Sequence, residues 1–221
     1  AEEHLDGLAY SSLQPPQMQI QDGEGKAATM QAANRWDTLR NINDACVGWL
    51  SVAGTPISYP VVQGSKDRPD YYLTHNFYRQ RDGGGCLYID ARTALNRRHI
   101  MIFGHHIVGS DTMFGTLSRM WEQRRFSQLS AATFSMPDGS TRTYDAFCSF
   151  KVKASDALIQ SFEWNDDVEF VKWLAKQRAR STAQGKQTAI NNPEQVLTLV
   201  TCSGNIPGKS ERTVVLFIRK Q

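Results

Sequence analysis

The chain has 221 residues, 40% hydrophobic and 21% charged, with a net charge of +3. That length suits one large domain, or a domain with a small appendage, and the mixture argues against wholesale disorder. The weak positive charge, without a dense Lys/Arg block, gives no case for a nucleic-acid partner, and apolar runs such as Val214–Ile218 fall far short of the about 20 residues that cross a bilayer.

Residues 1–26 read as a polar leader, a stalk or an arm, because Pro15-Pro16 and the run from Asp22 to Gly25 break regular structure. From Ala27 to Asp44 the spacing turns helical, with Met30, Ala33, Trp36 and Arg40 on successive turns. The texture then changes to short β-branched and aromatic segments bounded by Gly, Pro and Asn. Strands are expected at Val47–Ala53, Ile57–Gln63, Gly85–Ala91 and His99–Phe103. Asp138-Gly139 marks a hairpin between Ala132–Met136 and Thr141–Lys153. Val196–Cys202 and Thr213–Arg219 close the chain as two more strands. Two helical stretches interrupt the strands. One covers Phe114–Leu129, in one or two pieces. The other, Asp166–Ser181, has Asp166 and Glu169 at capping-box spacing and an apolar stripe of Phe170, Val171 and Leu174. Seven or eight short strands with short connections suit a barrel or a sandwich.

Four cysteines stand at 46, 86, 148 and 202 without a C-x-x-C pair, which argues against structural zinc and thioredoxin-type redox chemistry. Each is first read as a small buried hydrophobe, and a disulfide stays open. Cys202 differs in its setting. Side chains alternate along a strand, so Val196, Thr198, Val200 and Cys202 share one face. If the last two strands pair antiparallel, Cys202 and Arg212 meet across the intervening loop. A cation beside a thiol favours thiolate, and a guanidinium can stabilise an oxyanion. A His candidate lies in Ile100-Met101-Ile102-Phe103-Gly104-His105-His106, where an apolar strand stops at a Gly and feeds two histidines. Neighbours on an extended chain point to opposite sides, so one of the two enters a given site. His4, His75 and His99 read as surface or satisfied core residues. No acidic or Cys cluster accompanies the His pair, so no metal is expected. Cys, His and Arg from separate strand ends suit nucleophilic attack on a carbonyl.

These residues resemble the sortases. Thr198-Leu199-Val200-Thr201-Cys202 matches the T-L-x-T-C signature. Gly104-His105-His106 followed by Thr112-Met113-Phe114 resembles the histidine segment of class B sortases. Val47-Gly48-Trp49-Leu50, Tyr59-Pro60-Val61-Val62-Gln63 and Tyr71-Tyr72-Leu73 resemble the N-terminal half of that class. Arg212, ten residues after Cys202, stands where the family has its essential Arg. The resemblance spans residues 34–220 and includes the helix at 166–181 before the Cys strand.

The resemblance implies a mainly β fold: a closed eight-stranded β-barrel with an N-terminal helical region and a long helix inserted before the Cys-bearing strand. Residues 27–221 would form the catalytic domain and 1–26 the leader. Cys202 would attack a sorting signal of Asn-Pro-x-Thr type in a secreted protein and form a thioacyl-enzyme. His105, directly after the Gly, would move the protons, and Arg212 would bind substrate and oxyanion. Leu73, Phe103, Val200 and Thr201 would line the substrate groove. Phe103 stands where class B often has Tyr, and Val200 where many members have Ser, so the preferred motif can differ. Asp90 is an alternative partner for His105, with a supporting role at most.

The acyl group would pass to an amine of peptidoglycan. A pilin Lys, as in a pilus polymerase, or water, as in a plain cysteine peptidase, are the other acceptors. A non-catalytic peptide-binding barrel is the contrasting class, and the intact Cys202, His105 and Arg212 set argues against it. No cofactor is implied. The enzyme would act at the outer face of the cell membrane, anchored through an N-terminal membrane segment not contained in this chain. Free thiols titrate near 8.5 and imidazoles near 6.5, so an ion-paired minority form and a bell-shaped pH–rate profile are expected.

Overall fold

The computed structural model describes residues 35–107, 109–186, 190, 192–203 and 210–219. The proposed leader and the start of the expected 27–44 helix lie outside these residues. The helix is described over 35–42 and is named α1. Its Trp36 and Leu39 are buried against Trp49, Val62, Tyr72, Phe77 and Tyr88. Asn43 ends it. This fully buried side chain donates to the Phe77 carbonyl (3.0 Å) and accepts from the Tyr72 hydroxyl (3.2 Å) and Arg79 Nη2 (3.1 Å). A buried amide with its donor and acceptor both engaged ties α1 to the 72–79 segment.

Nine strands follow among the described residues: β1 (Cys46–Val52), β2 (Ser58–Gln63), β3 (Leu87–Ile89), β4 (His99–Phe103), β5 (Ala131–Ser135), β6 (Thr141–Lys153), β7 (Ala183–Gln184), β8 (Gln195–Cys202) and β9 (Glu211–Arg219). The sheet order is β5-β1-β2-β3-β4-β8-β9-β6-β7, and a further β5–β6 pairing closes it. Eight strands therefore form a closed barrel, and β7 hangs on β6 at Cys148 and Ser149. Closure leaves those eight without free edges. The β2–β3 and β4–β8 pairs are parallel; the others are antiparallel.

Strand alternation sorts the core into two layers. Leu50, Val61, Leu87, Ile89, Ile100, Ile102, Leu197, Leu199, Val215 and Phe217 fill the barrel. Met101, Val196, Val200, Val214, Leu216 and Ile218 face outward on β4, β8 and β9, in a second cluster shared with residues of a helix. That helix, α3 (Asp167–Ala179), buries Phe170, Trp173, Leu174 and Gln177, while Val171 is half-buried at the rim. The expected stripe lacked Trp173, whose Nε1 donates to the Leu158 carbonyl at 2.7 Å. The N-cap is Asp166, accepting from the Glu169 amide at 2.8 Å. The return contact of the expected capping box shifts by one residue, because the Glu169 carboxylate takes the Asn165 amide (3.0 Å).

The Phe114–Leu129 expectation resolves into a 3-10 turn at Gly115–Arg119 and one short helix, α2 (Gln123–Phe126). The Asp138-Gly139 hairpin forms, with Gly139 at φ +84°. The third strand is shorter than expected: β3 covers Leu87–Ile89, and Gly85 is spent on a turn at φ +60°. No helix among the described residues is long and apolar enough to cross a membrane.

Candidate active site

The strand order β4–β8–β9 sets the site. Cys202 ends the middle strand. On one side Arg212 is its direct register partner across the antiparallel β8–β9 ladder. Opposed residues of such a pair point to one face with Cβ atoms about 4.5–5.5 Å apart. On the other side β4 runs parallel to β8 with Phe103 level with Val200, and the Gly104 amide donates to the Val200 carbonyl at 3.1 Å. His105 therefore leaves β4 two residues after Phe103, as Cys202 lies two after Val200. The expected Cys202–Arg212 meeting is present, and β4 brings His105 to the same end of β8.

The His105 ring is held by backbone. Its Nε2 lies 2.8 Å from the Leu73 carbonyl oxygen. A carbonyl only accepts, so Nε2 carries the hydrogen and Nδ1 is left with the lone pair. The His105 carbonyl in turn accepts from the Phe114 amide at 2.9 Å. Gly85 makes room for this arrangement. A Cβ there would sit 2.4 Å from the Tyr72 carbonyl oxygen, 3.2 Å from that of Leu73 and 3.0 Å from His105 Cδ2. The Asn43 hub fixes Tyr72 and Phe77, and so the segment that carries Leu73. Sequence reading missed Asn43 and Gly85. The run Gly83-Gly84-Gly85 was the available signal of a tight backbone approach.

His106 takes the opposite side. It is buried, its Nδ1 has no partner among the described residues, and burial pushes its pKa down. His99 is a satisfied core residue: Nδ1 donates to the Ser161 carbonyl (2.7 Å) and Nε2 accepts from the Thr198 hydroxyl (2.8 Å). His75 stacks on Tyr71 at 4.0 Å. His4 lies outside the described residues.

A cavity of about 530 Å³ adjoins the site. Its floor is Met101, Phe103, Val200 and Val214. One wall runs from Lys66 to Leu73, the other from Val152 to Gln160. Asp90 and Arg92 close the far end, and Arg212 stands at the reacting end. Three of the four expected groove residues, Leu73, Phe103 and Val200, line it. Thr201 does not; strand alternation turns it inward, where it is 2% exposed with its hydroxyl unpartnered among the described residues. Asp90 is not the partner of His105. It holds Arg92, accepting from Nε at 2.9 Å and Nη2 at 2.5 Å. Tyr88 also lines the cavity, and burial raises its hydroxyl well above the ordinary range, so it stays neutral. A second cavity of about 580 Å³, between Asn96 and Asp167, lies at the opposite end of β4 from His105.

The other thiols are buried, and no described cysteine is in a disulfide. Burial pushes the Cys46 thiol up to about 11 and the Cys148 thiol up to about 12, which keeps both protonated. Among the described residues no group of three or more His, Cys, Asp or Glu is arranged to hold a metal.

Comparison with known proteins supplies the family. The Sortase domain model matches residues 50–217. Sortase B of Staphylococcus aureus is 27% identical over 184 residues, covering 82% of this chain and 73% of that protein. Sortase B of Listeria monocytogenes is 27% identical over 180 residues, covering 80% and 70%. The solved structure of Clostridium perfringens sortase B superposes with a TM-score of 0.74 at 27% identity, covering 84% of this chain and all of that one. A thiol, an imidazole and a guanidinium on three adjacent strand ends, in a barrel matched over most of its length, make this chain a member of the sortase family, a cysteine transpeptidase of class B.

Proposed function

We propose that Cys202, His105 and Arg212 carry the reaction of this transpeptidase, with residues 27–221 as the catalytic domain. The supporting observation is the β4–β8–β9 order, which brings the strand ends that carry these residues to one end of the barrel, beside a groove. Cys202 Sγ loses its proton to His105 Nδ1 and attacks the carbonyl of the scissile Thr. Arg212 stabilises the oxyanion that forms. The His105 imidazolium returns the proton to the leaving nitrogen, the C–N bond breaks, and a thioester remains. An incoming amine then gives its proton to His105 Nδ1, attacks the thioester, and releases the thiol with that proton.

The substrate is a C-terminal sorting signal of Asn-Pro-x-Thr type on a secreted protein, and the acceptor is a peptidoglycan amine. The reaction takes place at the outer face of the cell membrane. Structures of the same fold include a Staphylococcus aureus sortase B–substrate complex and a sortase B complexed with triglycine. Leu73, Phe103 and Val200 contact the peptide.

Intact-protein mass spectrometry tests the reading. Wild type incubated with Asn-Pro-x-Thr and Leu-Pro-x-Thr peptides should gain a thioacyl adduct, which a wall-peptide amine converts to an amide. Cys202→Ala should form none, and His105→Ala should form it far more slowly. An adduct released only to water would make the protein a peptidase. Binding without an adduct would make it a peptide-binding module.

A further inference from the structure

The far end of the groove is built around a charge. Arg92 Nε and Nη2 donate to the two oxygens of Asp90, Nη1 donates to Gln160 Oε1 at 2.8 Å, and the guanidinium lies 5.1 Å from the Phe162 ring centre. Gln160 Nε2 donates to the carbonyls of Ala154 (3.3 Å) and Asp156 (3.1 Å), so the same residue ties the groove wall to Arg92. A guanidinium has five N–H donors. Three are engaged, and the Arg92 side chain is still 53% exposed where it lines the cavity. The residues lining the cavity include four basic groups (Lys66, Arg92, Lys153, Arg212) against two carboxylates (Asp70, Asp90), and Asp90 is already committed.

Strand register gives the distance to the chemistry. The Asp90 amide donates to the Met101 carbonyl, and Met101 is level with Thr198, four residues before Cys202. At about 3.3 Å per strand residue, that end of the groove lies about 13 Å from the nucleophile measured along the strands. An extended peptide acylated at Cys202 carries the side chain three residues before the scissile one about 10 Å in that direction, and the substrate and Arg92 side chains span the remainder.

We propose that Arg92 is a specificity-determining residue of this protein, and that the groove prefers a carboxylate, Asp or Glu, at that first motif position. The proposal rests on the transpeptidase reading of Cys202. A carboxylate accepts charge-assisted hydrogen bonds from the two remaining N–H groups, one on Nη1 and one on Nη2, where a carboxamide offers one neutral oxygen and Leu none.

The test is the acylation rate of the full chain with peptides differing only in their first residue: Asp-Pro-Gln-Thr, Asn-Pro-Gln-Thr and Leu-Pro-Gln-Thr, each extended beyond the Thr. The Asp peptide is expected to acylate about tenfold faster than the Asn peptide. That advantage should shrink in about 1 M salt, where the Debye length is about 3 Å. Arg92→Gln should lower kcat/KM for the Asp peptide about tenfold more than for the Leu peptide. If that variant does not fold, the wild-type salt comparison decides. Equal or faster acylation by Asn or Leu in wild type overturns the proposal and leaves the transpeptidase reading intact, as does an equal loss with all three peptides in Arg92→Gln. Acylation by none of them, while iodoacetamide still labels Cys202, overturns both.

Discussion

The Leu73 carbonyl accepts a 2.8 Å hydrogen bond from His105 Nε2, and that contact leaves the lone pair on Nδ1. In the proposed reaction, with the proton held on Nε2, Nδ1 takes a proton from the thiol and gives it to the leaving amine. The ring is oriented by main chain, which cannot swing away as a side chain can. A substituent that shifts the carbonyl shifts the base.

Gly85→Ala is the sharpest way to do so. The new Cβ would meet two backbone oxygens and His105 Cδ2, on a residue at φ +60° that alanine adopts only under strain. A displacement of about 1 Å at the base should cost about 100-fold in acylation rate. Iodoacetamide labelling of Cys202 should continue. Acylation within threefold of wild type would mean that the Leu73 contact does not position the base.

Arg212→Lys keeps a charge opposite Cys202 but removes the planar fork. In the proposed reaction the guanidinium meets the oxyanion, and a compact ammonium does not reproduce its planar set of donors. Acylation should fall about 100-fold, with most of the loss in kcat. Near wild-type turnover would show that charge alone suffices at that position.

The four thiols should separate cleanly. Cys46, Cys86 and Cys148 are buried, and Cys202 is partly exposed. At pH 7.5 the native protein should take up one equivalent of a thiol reagent quickly and four in denaturant, and Cys202→Ala should lose the fast equivalent. Fast labelling of two or more thiols in the native protein would contradict the burial of the other three.

His99 links stability to pH. Burial lowers its pKa from 6.5 to about 4 in the folded protein, and both ring nitrogens are engaged as those of a neutral imidazole. Between those values the unfolded chain binds a proton that the native state refuses. The stabilisation is full above the unfolded value and is lost as pH falls toward 4. At pH 5 the loss from this group is about 2 kcal/mol. Urea unfolding at pH 7.5 and 5.0 should show a decrease of that size in wild type, and a smaller one in His99→Gln. The same decrease in both proteins would assign it to other groups.

How much of this was legible in the chain follows from local physics. Alternation along Val196–Cys202 put Cys202 on one face with Val196, Thr198 and Val200, and Gly104 marked where β4 releases its histidines. Asp138-Gly139 gave the hairpin through turn chemistry, and Asp166 gave the start of α3 through its side-chain oxygen. These signals act over a few residues, so a linear reading captures them. The placement of Thr201 illustrates a limit of motif reading: it belongs to the signature beside Cys202, yet strand alternation turns it into the barrel.

Long-range relations were not written in any local pattern. The parallel register that sets Phe103 beside Val200 comes from closing eight strands, and closure depends on all of them. The Leu73 carbonyl carries no sequence signature, since every residue has a carbonyl; its role arises from Asn43 anchoring a segment thirty residues away. Asp90 reads in sequence as a carboxylate near a histidine. In the fold Arg92, two residues on, takes it first, because a guanidinium offers paired donors within reach and His105 is already satisfied by backbone. The chemistry was carried by residue types in the chain; which of them meet was settled by barrel closure and by competition for hydrogen-bond partners.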